Sequence, residues 1–466
     1  MGERRVIAEP RLPRLVAEHL GRDPAGLPVL AEQFAMLEHP NLQLALDALL
    51  ASGDGQSVVG LPSEVRHFGE FSLGSVLAGR FHGPADPSPI EYVNLPVDAG
   101  RSLPCAQLAI YLLRVDDVPV VAFLLRGDER SGGGLGVEVL APERHQAEDF
   151  LVRLKELMLE HNVYRGKLLG FSFGQYGEFG LTFQRLPTLT RDDLVLPAED
   201  LEAIERHTVG VAEQADVLRA AGRHLKRGLL LYGPPGTGKT LSVMYLCARL
   251  PGRTTVLLSG PGVGALGQAV ALARSLQPSM VVLEDVDLVA MERTMPGIGT
   301  NPLLFELLNE MDGLAEDADV IFVLTTNRVE LLEPALAARP GRIDQAVEIG
   351  LPGEESRHRL LRLYLRGMAH DVPSPDGIVE RTAGVSAAFI KELVRRATML
   401  AADEAGASLV VRTAHLEQAL DDLLEHSAPI LRSMLGAAHD GDADAGAWSG
   451  GPPSWDEPPP GWAAYR

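Results

Sequence analysis

One stretch, Gly233-Pro-Pro-Gly-Thr-Gly-Lys-Thr240, constrains the fold of this chain more than any other. The apolar run before it, residues 228–232, predicts a buried strand, and residues 241–250 after it predict a helix. A strand, a glycine-rich loop, Lys-Thr and a helix in this order form the phosphate-binding P-loop. A glycine-rich turn without a ligand is the alternative, and the flanking strand and helix argue against it. We therefore expect an α/β unit that binds a nucleoside triphosphate.

The residue types of this loop suit that ligand for separate physical reasons. Glycines let the backbone turn tightly, so that its N–H groups point into one concavity. The following helix adds unpaired N–H groups and the positive end of its dipole. Lys239 places a cation on the outer phosphates, and the hydroxyl of Thr240 suits Mg²⁺, which binds oxygen. The predicted nucleotide-binding residues are Gly233, Pro234, Pro235, Gly236, Thr237, Gly238, Lys239 and Thr240.

Composition places the chain among soluble globular proteins of two or three domains. It has 466 residues, of which 46% are hydrophobic and 23% charged. The net charge of -21 argues against a basic surface for nucleic acid. Its two cysteines, Cys105 and Cys247, are too few for a disulfide framework or a cysteine zinc site. No signal core or membrane-length apolar run occurs, so we expect a cytoplasmic protein that does not enter a membrane.

Residues 1–186 predict a small α+β domain. Two apolar runs, 106–115 and 118–126, flank Asp116-Asp117 and predict a hairpin. Residues 142–161 have the apolar spacing of a helix, and 166–173 and 178–185 predict two further strands. The region contains no recognisable catalytic constellation. By its position we expect it to select a client or partner.

Residues 187–352 predict a parallel sheet around the P-loop. Apolar runs at 254–258, 280–283 and 319–324 alternate with helical segments, and the last two end in Glu284-Asp285 and Thr325-Thr326-Asn327. In doubly wound sheets, ligands bind at the carboxyl ends of the strands. The P-loop, the acidic pair and Asn327 should therefore lie at one edge.

The rest of the chain predicts a helical lid over 353–435 and a disordered tail over 436–466. Helical spacing occurs at 354–367, 386–404 and 413–424, with Ser386 and Thr413 as expected N-caps. The tail is acidic, rich in Pro and Gly, and carries tryptophans at an even spacing, which predicts either a docking motif or a chance outcome of biased composition: Trp448, Trp455 and Trp462. The fold class we predict is α/β: a P-loop doubly wound parallel sheet with a helical lid, preceded by a small α+β domain.

From about residue 191 to 431 the chain resembles an AAA ATPase. The resemblance rests on the P-loop, the acidic strand end Glu284-Asp285, Asn327 in Leu-Thr-Thr-Asn-Arg, and Leu336-Ala-Ala-Arg-Pro-Gly-Arg-Ile-Asp344. Asn309-Glu-Met-Asp-Gly-Leu314 fits another family motif. The resemblance implies ATP and Mg²⁺ as ligands and a homo-oligomeric, usually hexameric, ring.

The resemblance also implies a role for each polar residue. Glu284 corresponds to the carboxylate that holds Mg²⁺ together with Thr240, and Asp285 to the one that orients the attacking water. Asn327 is similar to sensor 1, an amide within reach of that water and the γ-phosphate. Arg339 and Arg342 are similar to the arginine fingers that enter the neighbouring subunit's site.

Three departures from the family pattern bear on function. The usual acidic order is Asp then Glu, whereas here Glu284 precedes Asp285; a Glu-Asp order occurs in the branch resembling the mitochondrial Rieske-protein translocase, and we expect slow turnover. Ser259-Gly-Pro-Gly-Val-Gly-Ala-Leu-Gly267, at the position of the first pore loop, has no aromatic residue to grip an unfolded chain. The lid motif reads Gly384-Val-Ser-Ala-Ala-Phe389 and lacks its usual second glycine.

These features leave functions from different classes open. The leading interpretation is an ATP-driven ring that remodels or disassembles a protein client. The alternative is an ATP-dependent assembly switch or scaffold that recruits a partner without threading it. We do not expect a protease, because no His-Glu-x-x-His zinc motif occurs in the sequence, and a nucleic-acid motor is disfavoured by the acidity of the chain.

Overall fold

The computed structural model describes residues 11–61, 72–78, 87–127, 134–173, 179–287, 302–315, 318–332, 342–404 and 408–426. The chain divides into two compact units. The first unit comprises Met1–Arg191, Glu202–Leu231 and Thr240–Val347, and the second comprises Asp192–Leu201, Tyr232–Lys239 and Glu348–Arg466.

The strands of the described residues are numbered in chain order. They are β1 Val29–Phe34, β2 Ser57–Gly60, β3 Tyr92–Asp98, β4 Arg101–Ala106, β5 Leu108–Val115, β6 Val118–Arg126, β7 Leu135–Leu140, β8 Leu168–Phe173, β9 Phe179–Gln184, β10 Arg227–Tyr232, β11 Thr254–Leu258, β12 Ser279–Leu283, β13 Val320–Thr326, β14 Gln345–Glu348, β15 His370–Asp371 and β16 Val411–Arg412. The α-helices are Arg11–Leu20, His39–Ala51, Leu73–Leu77, Arg144–Glu160, Ala198–His207, Val209–Glu213, Ala215–Ala220, Lys239–Arg249, Leu266–Ser275, Pro302–Asp312, Glu354–Leu365, Asp376–Arg381, Ala387–Glu404 and Thr413–Asp421.

The N-terminal part of the first unit is an antiparallel sheet in the order β1-β7-β6-β5-β2. The predicted hairpin is confirmed as β5–β6, and Asp116 and Asp117 turn it with φ of 49° and 64°. Two positive φ values in succession match the twist of the flanking strands. The sheet buries both faces, one against His39–Ala51 and Arg144–Glu160 and the other against Arg11–Leu20 and Leu73–Leu77.

A second sheet of the first unit contains the strand that leads into the P-loop. Its order is β14-β10-β13-β12-β11-β8-β9. Strands β8, β11, β12 and β13 run parallel to one another, and β9 pairs antiparallel with β8. All residues of β11, β12 and β13 are buried, because helices cover both faces of such sheets. The predicted α/β fold with parallel strands is therefore correct.

The two strands predicted at 166–173 and 178–185 exist, but they do not join the N-terminal sheet. They are β8 and β9, and β8 extends the P-loop sheet by pairing with β11, Leu168 opposite Thr255. This placement corrects the sequence interpretation, which assigned both strands to the domain of residues 1–186. The correction has a simple reason: β8 gains main-chain hydrogen bonds from β11, which would otherwise present an unpaired edge.

The C-terminal part of the second unit is mainly helical, and the lid over residues 353–435 stays a prediction. Its core joins four helices of the C-terminal region: Glu354–Leu365, Asp376–Arg381, Ala387–Glu404 and Thr413–Asp421. The N-cap predicted at Ser386 is confirmed, since its Oγ accepts the N–H of Phe389 at 3.2 Å. The N-cap predicted at Thr413 is wrong by one residue, because Arg412 occupies that position. Residues 427–466, and with them the three tryptophans, lie outside the described residues.

Candidate functional site

Residues 233–239 of the P-loop belong to the second unit and take backbone conformations that require the loop's glycines. Gly233, Gly236 and Gly238 have φ of 140°, 74° and 117°. A Cβ on Gly233 would lie 2.3 Å from the carbonyl oxygen of Ile349, and one on Gly236 would lie 2.9 Å from Cβ of Ala388. The loop also contacts the first turn of helix Ala387–Glu404, because the N–H of Ala388 donates to the carbonyl of Gly236 at 3.0 Å.

Lys239 is held against the P-loop by the loop's own carbonyl groups. Its Nζ donates to the carbonyls of Gly233 and Pro234, both at 2.8 Å, and the residue is 6% exposed. The hydroxyl of Thr237 also donates to Pro234 at 2.9 Å. A mostly buried ammonium beside the loop gains strongly from an anionic ligand. The loop therefore fits a phosphate group.

A cavity of about 300 Å³ adjoins the P-loop within the second unit. Thr237, Asp200 and Glu348 line it together with Gly350 and Gly353. A Cβ placed on either of these two glycines would meet nothing within 4 Å, so the backbone leaves open space for a flat group. Burial, followed by repulsion from Glu199 and Glu348, raises the pKa of Asp200. The cavity is large enough for a nucleobase.

Glu284, in the first unit, combines a hydroxyl partner with an unsatisfied oxygen. It follows β12, and its carboxylate accepts a hydrogen bond from the side chain of Thr240. Its Oε1 is buried and, among the described residues, has no hydrogen-bond partner. Burial, and secondarily the charge of Asp285, raises the pKa of Glu284 although the Thr240 bond opposes the rise. A buried carboxylate oxygen without a partner, beside a threonine hydroxyl, is a donor set that fits Mg²⁺.

Asp285 and Asn327 meet at the carboxyl ends of β12 and β13. The Nδ2 of Asn327 donates to Oδ1 of Asp285 at 3.2 Å. Asp285 has a φ of 49°, a conformation that is strained for a residue with a side chain. Its N–H is held by Oγ1 of Thr325 at 3.0 Å. The structure thus brings together four residues that the sequence predicted, Thr240, Glu284, Asp285 and Asn327.

Asp287 belongs to the same cluster, although sequence reasoning did not assign it. It is 3% exposed, and its Oδ1 accepts the hydroxyl of Thr326 at 2.9 Å and the N–H of Asn327 at 3.1 Å. The signal that could have found it is a third acidic residue close behind the Glu284-Asp285 pair at a predicted strand end. No spacing rule connects that carboxylate to Thr326, because the contact joins two strands.

The two predicted arginines are not part of this cluster in the described residues. Arg342 donates to Asp312 at the end of helix Pro302–Asp312, and its Nη1 is buried with no partner in the described part of the chain. Arg339 lies outside the described residues. The role of both residues in a neighbouring site remains a prediction.

The segment at the first pore-loop position is folded against its own unit. Residues Gly260–Ala265 form a 3₁₀ helix in which Val263 and Ala265 are fully buried. A Cβ on Gly262 would lie 3.3 Å from the carbonyl oxygen of Phe171 in β8. The side chains of Val263 and Ala265 therefore pack inward.

Residues 229–351 match the profile of the ATPase family associated with various cellular activities (AAA). This chain carries an AAA domain. The match begins in β10 and ends just after β14, so it includes the P-loop, the acidic pair and Asn327.

Three curated relatives show how far the similarity extends. "ATP-dependent zinc metalloprotease FtsH" of Rhodococcus erythropolis is 29% identical over 303 residues, 59% of this chain and 35% of that protein. "ATP-dependent zinc metalloprotease FtsH 4" of Sphaerobacter thermophilus is 31% identical over 297 residues, 60% and 44% of the two chains. FtsH of Mycoplasma mobile is 32% identical over 257 residues, 51% and 35%. The matched part thus spans less than half the length of each relative.

Among the described ranges, no group of three or more His, Cys, Asp or Glu side chains is placed to hold a metal ion by itself. Likewise, no helix within those ranges has the length and apolar character needed to cross a bilayer.

Proposed function

We propose that this chain hydrolyses ATP in a homo-oligomeric ring and uses the cycle to remodel or disassemble a protein client. The observation that carries the hydrolysis is the cluster of Thr240, Glu284, Asp285 and Asn327, which joins a metal-binding pair to a water-orienting pair. The hydrogen bond of Lys239 to a P-loop carbonyl and the adjoining cavity support binding of the triphosphate and of its base.

Each residue has a chemical task in this proposal. Lys239 and the loop N–H groups bind the phosphates. Thr240 and Glu284 would hold Mg²⁺, which would neutralise phosphate charge. Asp285 accepts the proton of the attacking water, and Asn327 orients the carboxylate and the water through its amide. Because Asp285 is one methylene shorter than the family's usual glutamate, the water must come closer to the main chain, and turnover is slow.

The ring is proposed because Arg342, within the described residues, contacts Asp312 and not the cluster of Thr240, Glu284, Asp285 and Asn327. We propose that Arg339 and Arg342 reach the nucleotide of a neighbouring subunit in a ring, as a hexamer would allow. Arg342 must then exchange Asp312 for phosphate, a stronger acceptor for a guanidinium.

A mixing experiment tests the shared site. Lys239→Ala lacks the phosphate cation but keeps both arginines, whereas Arg342→Ala keeps the P-loop. We expect each variant alone to be inactive and an equimolar mixture to recover part of the phosphate release. No recovery in co-assembled rings would refute the shared site.

The relatives' names raise the question of proteolysis. We propose that this chain is not a protease, and the support is the lack of a His-Glu-x-x-His motif in its 466 residues. Incubation with unfolded casein, ATP and Zn²⁺ tests this: we expect intact casein, and ATP-dependent cleavage would contradict us. We also propose a cytoplasmic location, which cell fractionation tests.

A second function is an ATP-dependent switch or scaffold that recruits a partner without threading it. The inward packing of Val263 and Ala265, with no aromatic residue in Gly260–Ala265, favours this alternative. In both cases we propose that residues 1–186 choose the client or partner.

One comparison separates the two functions. The client captured by an Asp285→Asn trap in ATP is purified, and its folded fraction is followed after addition of the wild-type chain. Client unfolding that needs ATP turnover supports remodelling. Binding that needs ATP but leaves the client folded supports the switch.

A further inference from the structure

We propose that Asp287 positions Asn327 for ATP hydrolysis by fixing the main chain at the end of β13. This inference rests on the proposed hydrolysis at Asp285 and Asn327. It adds a residue whose own side chain does not touch the nucleotide but sets the direction of one that does.

The first argument is the pair of hydrogen bonds that one oxygen accepts. Oδ1 of Asp287 receives the Thr326 hydroxyl at 2.9 Å and the Asn327 N–H at 3.1 Å. Asp287 is 3% exposed and Thr326 is fully buried, so water does not compete for these bonds. Hydrogen bonds in such surroundings are electrostatically stronger than exposed ones and restrict the geometry more tightly.

The second argument is that hydrogen bonds hold both the main chain and the side chain of Asn327. Its main chain is held by Asp287 and its side-chain amide by Asp285, at 3.1 and 3.2 Å. With both ends fixed, the χ angles of Asn327 have little freedom. Without the main-chain anchor, the amide could still find Asp285 but from a shifted Cα, and a shift of about 1 Å at a reacting group slows catalysis about 10²-fold.

The third argument is that the neighbouring bonds all support the same geometry. The Thr326 hydroxyl that donates to Asp287 also accepts the N–H of Arg328 at 3.0 Å. Thr325 Oγ1 accepts the N–H of Asp285 at 3.0 Å, on the other side of the strand end. Asp287 therefore closes a set of bonds that locks the end of β12 to the end of β13.

Two substitutions separate geometry from charge. Asp287→Asn keeps an oxygen that can accept both donors, whereas Asp287→Ala removes it. Glu138→Ala is the matched control, because Glu138 is a half-buried carboxylate that accepts a main-chain N–H, that of Leu73 at 2.6 Å, in the N-terminal sheet. Thr326→Val, which removes one of the two donors and keeps the shape, serves if Asp287→Ala does not fold.

Steady-state ATPase kinetics give the first readout. For Asp287→Ala we expect kcat to fall about 10- to 100-fold with KM for ATP within about threefold, since binding does not use Asn327. Asp287→Asn should stay within about threefold of wild-type kcat, and Glu138→Ala should match the wild type. Thr326→Val should fall between the two Asp287 variants. A kcat unchanged in Asp287→Ala, or equally low in Asp287→Asn, would overturn the proposal.

Amide hydrogen exchange gives a second readout that needs no turnover. Asp287→Ala should speed exchange of the Asn327 N–H at least about tenfold without changing exchange in β11, while Asp287→Asn should preserve protection. Unchanged protection in Asp287→Ala overturns the positioning role. If the wild-type chain releases no phosphate above Lys239→Ala, the proposed hydrolysis fails, and the exchange data still decide whether Asp287 fixes Asn327.

Discussion

Replacing Glu284 by Gln should stabilise the nucleotide-free chain while removing its response to magnesium. The reason is that Oε1 of Glu284 is buried without a partner and that burial disfavours the ionised form. An unsatisfied buried polar group costs about 1–3 kcal/mol, more when it is charged. The neutral amide of Gln still leaves one atom unpaired. We therefore expect the free energy of unfolding to rise by an amount at the lower end of this range, about 1 kcal/mol, which corresponds to a rise in Tm of about 2 °C.

The pH dependence of this difference has a definite sign. The pKa of Glu284 is raised in the folded state, so the folded chain holds the proton more tightly than the unfolded chain. The stability that this proton contributes is present below the unfolded pKa of glutamate and is lost as pH rises through the folded pKa. The stability difference between Glu284→Gln and the wild type should therefore be small in acid. It should grow as the pH rises from the unfolded pKa of glutamate through the raised pKa of Glu284.

Melting curves with nucleotide supply the second half of the test. For a ligand at 100 times its Kd, mass action stabilises the wild-type chain by about 2.7 kcal/mol. ADP should raise Tm, and EDTA should remove part of that rise, which is the part due to magnesium. We expect this magnesium-dependent part in the wild type and in Asp285→Asn, but not in Glu284→Gln. A nucleotide-free Glu284→Gln that melts below the wild type, or an unchanged magnesium response, would refute the assignment of Glu284 as the metal-side carboxylate.

Three further substitutions test other parts of the account. Gly236→Ala should weaken ATP binding and lower stability by about 1–3 kcal/mol, because φ is 74° and the new Cβ would overlap a neighbour; Gly222→Ala, with φ of 66° and open space around it, is the calorimetric control for strain alone. Asn327→Ala should lower kcat about 10²-fold and leave KM for ATP unchanged, as steady-state phosphate release will show. Arg253→Met should lower the free energy of unfolding by about 3–5 kcal/mol in urea titrations, because it leaves Asp319 as a buried charge without its partner.

The parallel strands could be predicted from sequence because burial on both faces makes each one an uninterrupted apolar run. β11 begins and ends where the residues indicated, and β12 and β13 differ from prediction only at their ends. β1 and β2 were missed, because neither strand forms an uninterrupted apolar run. The sequence near β8 does not show which sheet the strand joins. Its partner β11 lies far along the chain, and main-chain pairing does not depend on a recognisable pattern of side chains.

The candidate site shows the same division. The P-loop and the acidic pair follow from motifs whose residues are close in sequence. By contrast, the contact of Asp287 with Thr326 and that of Lys239 with a P-loop carbonyl depend on the three-dimensional fold, because strand ends and loop carbonyls meet only there. The pairing of Arg342 with Asp312 is of this second kind too, because a helix and a later loop supply the two partners.

We propose, above all, that Glu284, Asp285 and Asn327 bring about hydrolysis of the ATP that Lys239 and Thr240 hold. The most direct measurement is phosphate release by the full chain with Mg²⁺ and ATP, at protein concentrations where it assembles, beside Lys239→Ala and Asp285→Asn. We predict slow release by the wild type, none by Lys239→Ala for lack of binding, and none by Asp285→Asn although that variant binds ATP. Wild-type release no greater than that of Lys239→Ala, in assembled rings, would contradict the account.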